Sequence, residues 1–346
     1  MMVLKILSIL LFPFAVIYDA ITSIRNRLYD MGYKPSASFE VPLISVGNLA
    51  VGGTGKTPMI EHLIRLLKPN YKVATLSRGY GRTTKGVRVA NAADNASTLG
   101  DEPYQFFKKF GNEVVVTVGE ERALAVPYVV DQQPDTAVVL LDDAYQHRQV
   151  KPAFQILLTD HRRPFYNDLL LPSGRLRESS FGARRADVIV VTKCPPELSS
   201  EAMMAIEKKI RKYSDKPVFF TSIRYGNVIP LEGSAKAAAD KVVLVSGIAH
   251  AEPLAAFVGR NYTMVKHLEF ADHHVYTEKD LKMIVAEAQA HQAMVITTEK
   301  DAVKMETEQF REFLVQVPFF YLPIEIEFLK NGKDFDEMVL NVITNA

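Results

Sequence analysis

The chain has 346 residues, of which 48% are apolar and 23% charged, and a formal net charge of +1. That balance excludes a disordered chain, and near-neutrality excludes a broad phosphate-neutralising surface for nucleic acid. The single cysteine, Cys194, excludes an internal disulfide and fits a reducing compartment; the length exceeds what one hydrophobic core usually fills, about 250–300 residues, so two cores are expected.

The N-terminus is apolar almost without interruption from Ile6 to Tyr18, then meets Asp19, Arg25 and Arg27. That run is shorter than the ~20 residues a membrane span requires. Lys5 is a meagre basic flank for a signal peptide, and a phosphate-binding loop downstream belongs in the cytosol. Two readings stay open: a helix lying in a membrane interface, or an apolar helix packed on the domain behind it.

Short apolar runs follow at Val41 (VPLISV), Lys72 (KVATLS), Glu113 (EVVVTV), Ala137 (AVVLLDD), Phe154 (FQILLTD) and Asp187 (DVIVVTK). Continuous rather than alternating runs predict strands buried on both faces. A helix over Lys56–Leu67 joins the first two as a βαβ unit. The expected fold is therefore α/β, a P-loop NTPase-like doubly wound parallel sheet. A second group of runs at Lys241, Met294 and Val317, with helical sequence over 278–290, predicts a second, smaller α/β domain. The polar stretch Arg224–Lys241 reads as a connector, giving an expected division into 1–225 and 226–346.

Between the first strand and its helix stands LAVGGTGKTP. In the pattern G-x-x-x-x-G-K-[ST], backbone N–H groups cradle phosphates, the lysine reaches the β and γ oxygens and the hydroxyl holds Mg²⁺. Gly52, Gly53, Thr54, Gly55, Lys56 and Thr57 supply that cradle, while Ala50 replaces the first glycine; the competing reading is a plain glycine-rich turn. Val51 stands where partition-type membrane ATPases carry lysine. Pro195 in TKCP replaces the aspartate of guanine-specific enzymes, which favours ATP. The run ending LLDDAYQHR places Asp142 and Asp143 where a carboxylate meets Mg²⁺ in such folds, although one of them could simply cap the next segment.

The ordered set VGNLAVGGTGKTP, LSRGYGR, GDEP, DDAYQHR, LLPSGRLRE, SGIAHAEP, FADHHVY and TTEKDAVK resembles the tetraacyldisaccharide 4'-kinase family, the lipid A 4'-kinases, from the N-terminus to about Lys304. The resemblance implies an ATP- and Mg²⁺-dependent monotopic lipid kinase at the cytoplasmic face of a bacterial inner membrane. It implies phosphorylation of the 4'-hydroxyl of tetraacyldisaccharide-1-phosphate and names no protein partner. It places a base at Asp101, assisted by His273 rather than His274, and substrate contacts at Arg78, Tyr80, Glu102, Arg177 and Glu178. A membrane-docked P-loop ATPase switch acting on a protein partner is the alternative function.

Overall fold

The computed structural model describes residues 2–234 and 239–345, with side chains from Ile9 onward. The start of the apolar N-terminal run and residues 235–238 of the connector lie outside the described side chains and residues.

Fourteen strands form two sheets among the described residues. They are β1 (Leu43–Asn48), β2 (Val73–Ser77), β3 (Arg88–Val89), β4 (Val114–Val118), β5 (Val138–Asp142), β6 (Phe154–Asp160), β7 (Val188–Thr192), β8 (Val218–Tyr225), β9 (Ile229–Pro230), β10 (Lys241–Ser246), β11 (Thr263–Glu269), β12 (Met294–Thr298), β13 (Phe319–Leu322) and β14 (Ile324–Phe328). The larger sheet has the order β14-β8-β7-β6-β1-β5-β2-β4-β3, and the smaller β11-β10-β12-β13-β9. Seven central strands of the larger sheet are mutually parallel, with antiparallel β14 and β3 at its edges.

Alternate residues of each central strand enter different cores, which is why the runs are continuous. Ile44, Val46, Leu140 and Ile156 pack under the helix Lys56–Leu67, whereas Leu43, Val139 and Leu141 join a core on the opposite face. β1 lies between β5 and β6, so the loop leaving its C-terminal end emerges at the middle of the sheet edge, where open α/β sheets bind ligands.

The expectation that 226–346 forms one unit needs correction. The run VPFFYLPIEI divides at Pro323: β13 belongs to the smaller sheet, and β14 returns to pair antiparallel with β8. Proline has no N–H to continue a ladder, and its own carbonyl accepts from Gly226 N at 2.9 Å. The following helix, Gly332–Thr344, buries Phe335 and Val339 in the core beneath the larger sheet. The smaller sheet thus occupies 229–322. Two antiparallel crossings tie it to the larger one, β8 to β9 and β13 to β14.

The N-terminal helix covers Met2–Asp30, and its Ile9–Asp30 portion is long and apolar enough to cross a membrane by length and composition. Its polarity is inside-out. Ala15, Tyr18, Asp19, Thr22, Arg25 and Asn26, at helical spacing, face the protein, while Ile17, Ile21 and Ile24 face outward with Ile9, Leu10, Phe12 and Phe14. An apolar helix packed on a soluble core would show the reverse.

Candidate active site

The loop from β1 runs beside the segment Arg175–Arg177. Val51 N donates to the Arg175 carbonyl (2.8 Å), Arg177 N donates to Leu49 O (2.7 Å), and Ala50 bridges Leu176. Ala50 therefore lies in a strand-like pairing, buried against Leu49 and Leu176, and has no need of glycine's left-handed conformation. Gly52 and Gly55 do need it, at φ 108° and 83°. Gly55 leads directly into the helix that begins at Lys56, whose N-terminus carries partial positive charge. Thr192 of TKCP braces the loop by donating from Oγ1 to Thr54 O (2.9 Å), and Lys193 donates to Gly53 O while pairing with Asp160. These bracing residues were not anticipated, because their partners are loop carbonyls that no sequence pattern marks.

Asp142 ends β5 and Asp143 follows it, beside that loop. Asp143 adopts φ 48°, an uncommon conformation that aspartate tolerates better than most residues. Its carboxylate receives both arms of Arg177 (3.0 and 3.2 Å) and lies 3.8 Å from Lys56 Nζ. Burial pushes its pKa upward, yet Lys56 and then Arg177 outweigh that and hold it below the usual range. Asp142 is 3% exposed and, among the described residues, its carboxylate accepts only from Ser77 Oγ, at 3.3 Å. Its Oδ1 has no partner among the described residues. Burial, with Glu102 nearby, pushes its pKa up to about 7. A buried, under-satisfied carboxylate beside an ionised one suits a hard divalent cation. Among the described residues no cluster of three or more His, Cys, Asp or Glu makes a self-sufficient metal cage. Mg²⁺ would take its remaining oxygens from phosphate and water, as that ion commonly does.

The raised Asp142 pKa yields a stability prediction with a definite sign. The folded carboxyl keeps a proton that the unfolded chain releases near 3.8, so stability falls as pH rises from there to about 7. The full penalty above that range is roughly 4 kcal/mol. Asp142→Asn is therefore expected to raise the Tm of the ligand-free protein more at pH 8 than at pH 5. An equal change at both pH values would remove the buried-carboxyl account.

Asp101 opens the helix Asp101–Phe110 after Gly100 (φ 94°). Across the boundary between the sheets, His273 Nδ1 lies 3.4 Å from Asp101 Oδ2. His273 also holds left-handed backbone, φ 58°. Its Nε2 is 3.0 Å from Lys300 Nζ, and its ring lies against Tyr80, 5.5 Å between centroids. Lys304 Nζ is 3.8 Å from the same Asp101 oxygen. His274 instead bonds Asp280 (3.1 Å) and stacks on Phe270, a structural placement. Lys300 and Lys304 come from TTEKDAVK, a motif visible in the sequence, but nothing there aims them at Asp101.

A model of the LpxK family, tetraacyldisaccharide-1-P 4'-kinase, matches residues 7–344. The chain belongs to this family. The tetraacyldisaccharide 4'-kinase of Flavobacterium johnsoniae is 42% identical over 346 residues, 98% of each chain. That of Flavobacterium psychrophilum is 43% identical over 342 residues, 97% of each. The solved LpxK of Aquifex aeolicus, described as an apo form in complex with ATP, is 26% identical with a TM-score of 0.75, covering 97% of this chain and 99% of that one.

Within this kinase fold the expected substrate residues divide. Arg78, Tyr80 and Glu102 stand at the sheet edge around Asp101, with Tyr80 75% exposed and Arg78 also open to solvent. Glu178 does not fit the role given it. It is 3% exposed, and its carboxylate accepts from Asn26 (2.7 Å), Gln146 (2.9 Å) and Arg185 (2.9 Å). Arg177 is likewise committed, to Asp143, Asn48 and Gln146. The two read as contacts to substrate because arginine suits a phosphate and glutamate a sugar hydroxyl; the fold spends both on holding the site together. Arg122 was missed altogether. It is buried, donates to Gly119 O and Asp142 O, and burial lowers its pKa to about 10.

Proposed function

We infer that the protein transfers the γ-phosphate of ATP to the 4'-hydroxyl of a tetraacyldisaccharide-1-phosphate, the lipid A precursor for which its family is named. The meeting of His273 with Asp101 beside the phosphate loop carries the mechanistic reading. Gly52, Gly53, Thr54 and Gly55 offer backbone to the phosphates, and Lys56 reaches the β and γ oxygens. Thr57, Asp142 and Asp143 would hold Mg²⁺, which would neutralise charge on the phosphates. Asp101 accepts the proton of the attacking hydroxyl, and His273 orients its carboxylate. Arg78, Tyr80 and Glu102 bind the acceptor, with Arg78 suited to its anionic phosphate. The smaller sheet, carrying His273, Lys300 and Lys304, covers this edge and excludes water that would otherwise take the phosphoryl group. Family membership across residues 7–344 sets aside the nucleotide-switch alternative.

The lipid must be met at a membrane, and the outward apolar face of the N-terminal helix supplies the means. Its inner face is pinned to the domain by Tyr18, Arg25 and Asn26, which supports reading it as a monotopic anchor on the cytoplasmic surface rather than a crossing helix. The direct test is to incubate the protein with ATP, Mg²⁺ and tetraacyldisaccharide-1-phosphate in vesicles and detect a bisphosphorylated lipid by mass. No such product from folded protein would overturn the assignment. Replacing Ile17, Ile21 and Ile24 together by Glu is expected to abolish co-sedimentation with vesicles and raise KM for the lipid, leaving ATP binding intact. Undiminished co-sedimentation would place the anchor elsewhere.

A further inference from the structure

The inner face of the N-terminal helix does more than attach it. Asn26 Nδ2 donates to Glu178 Oε2 at 2.7 Å, and Tyr18 Oη donates to the Arg177 carbonyl at 2.9 Å. The other Glu178 oxygen accepts from Gln146 Nε2 at 2.9 Å, and Gln146 Oε1 accepts from Arg177 at 3.2 Å. Arg177 then grips both oxygens of Asp143. Tyr18 is thus two hydrogen bonds, and Asn26 four, from the carboxylate that faces Lys56. The geometry points to the helix as a positioning element of the transfer site, with Asn26 and Tyr18 as positioning residues acting on Asp143 through Glu178, Gln146 and Arg177. This rests on the reading of Asp143 as metal-facing.

Three features favour positioning over simple attachment. Asp143 sits in left-handed backbone, so its aim depends on side-chain partners rather than on a relaxed local conformation. Glu178 is almost wholly buried, so a lost Asn26 donor cannot be replaced by bulk water and its carboxylate must seek other partners within the network. Those partners are Gln146, which bonds Arg177, and Arg185. The opposite face of the same helix presents Ile17, Ile21 and Ile24 to the outside. Whatever holds that face also fixes the first members of the relay.

The test compares Asn26→Leu and Tyr18→Phe with wild type in the full-length protein, using Asp143→Asn as the reference. Three quantities are read: kcat and KM with a short-chain, detergent-soluble acceptor, co-sedimentation with vesicles, and the Mg²⁺ concentration giving half-maximal thermal stabilisation by a non-hydrolysable ATP analogue. Asn26→Leu is expected to lower kcat about tenfold and raise that Mg²⁺ concentration severalfold, as loss of a hydrogen bond to a charged group would. KM for the acceptor and vesicle binding should stay near wild type. Tyr18→Phe, which removes one hydroxyl, is expected to show the same pattern at about threefold, and it decides the matter if Asn26→Leu does not fold. Wild-type kcat and Mg²⁺ midpoint, or changes confined to KM and vesicle binding, would overturn the relay. An inactive Asp143→Asn beside unaffected helix variants overturns the relay alone, whereas an Asp143→Asn protein with normal activity and Mg²⁺ response removes the reading beneath it.

Discussion

Asp101→Ala is expected to lower kcat by about 10²–10⁴-fold while leaving KM for ATP little changed. The carboxylate sits at a helix N-terminus with Lys304 3.8 Å away, which places it at the edge where the acceptor hydroxyl would arrive. Carboxylates are mild bases in general, which suffices where the transition state is loose and the hydroxyl proton departs late. His273→Ala is expected to lower kcat less, since His273 would act through the Asp101 oxygen it approaches at 3.4 Å. If the two act as a unit, the double variant will be far less impaired than the product of the single defects. Single-turnover assays on folded, ATP-binding proteins measure this. Full multiplicativity would leave His273 as an independent contact, and an unchanged kcat in Asp101→Ala would remove the base altogether.

The residues that carry backbone geometry were legible in the sequence. Gly52 and Gly55 occupy positive φ, which few other residues tolerate, and the strand runs were readable because burial on both faces leaves no polar alternation. The approach of Asp101 and His273, 172 positions apart, could be inferred only through the family resemblance, since no local pattern encodes a contact between two sheets. The split at Pro323 was visible in principle. A proline inside an apolar run signals an interruption, but not that the halves enter different sheets.

What stayed hidden is the second layer of polar contacts. Arg177 and Glu178 have the chemistry of ligand-binding residues, and only their three-dimensional neighbours show that Asp143, Asn26, Gln146 and Arg185 consume that chemistry. The N-terminal helix illustrates the same limit from the other side. Its apolar run left two readings open because a sequence shows which residues are apolar and not which way they face. The burial of Thr22, against the exposure of Ile17 and Ile21, gives that facing, and the proposed membrane contact is argued from it.

Lys109→Met is expected to destabilise the fold by about 3–5 kcal/mol, the cost of leaving a buried charge without its partner. Lys109 joins the two halves of the molecule: it lies 2.6 Å from Glu61, on the helix that begins at Lys56, and 2.6 Å from Glu299, beside the smaller sheet. Glu61 retains Arg65 and Gln105 in the variant, but Glu299 loses its only ion-pair partner among the described residues. Burial, followed by the charge of Glu61, already raises the Glu299 pKa above 4.5, and removing the lysine raises it further. The folded carboxyl then holds a proton that the unfolded chain gives up, so the loss should be small near pH 4.5 and grow as pH rises. Urea denaturation of wild type and variant at pH 5 and pH 8 tests that sign. Glu299→Gln in the Lys109→Met background should restore much of the stability at pH 8, because it removes the unpaired charge while keeping the shape. It should also restore kcat, since Glu299 opens the helix that carries Lys300 and Lys304 toward Asp101 and His273. A pH-independent loss that Glu299→Gln fails to relieve would mean that Lys109 contributes packing rather than a charge clasp between the sheets.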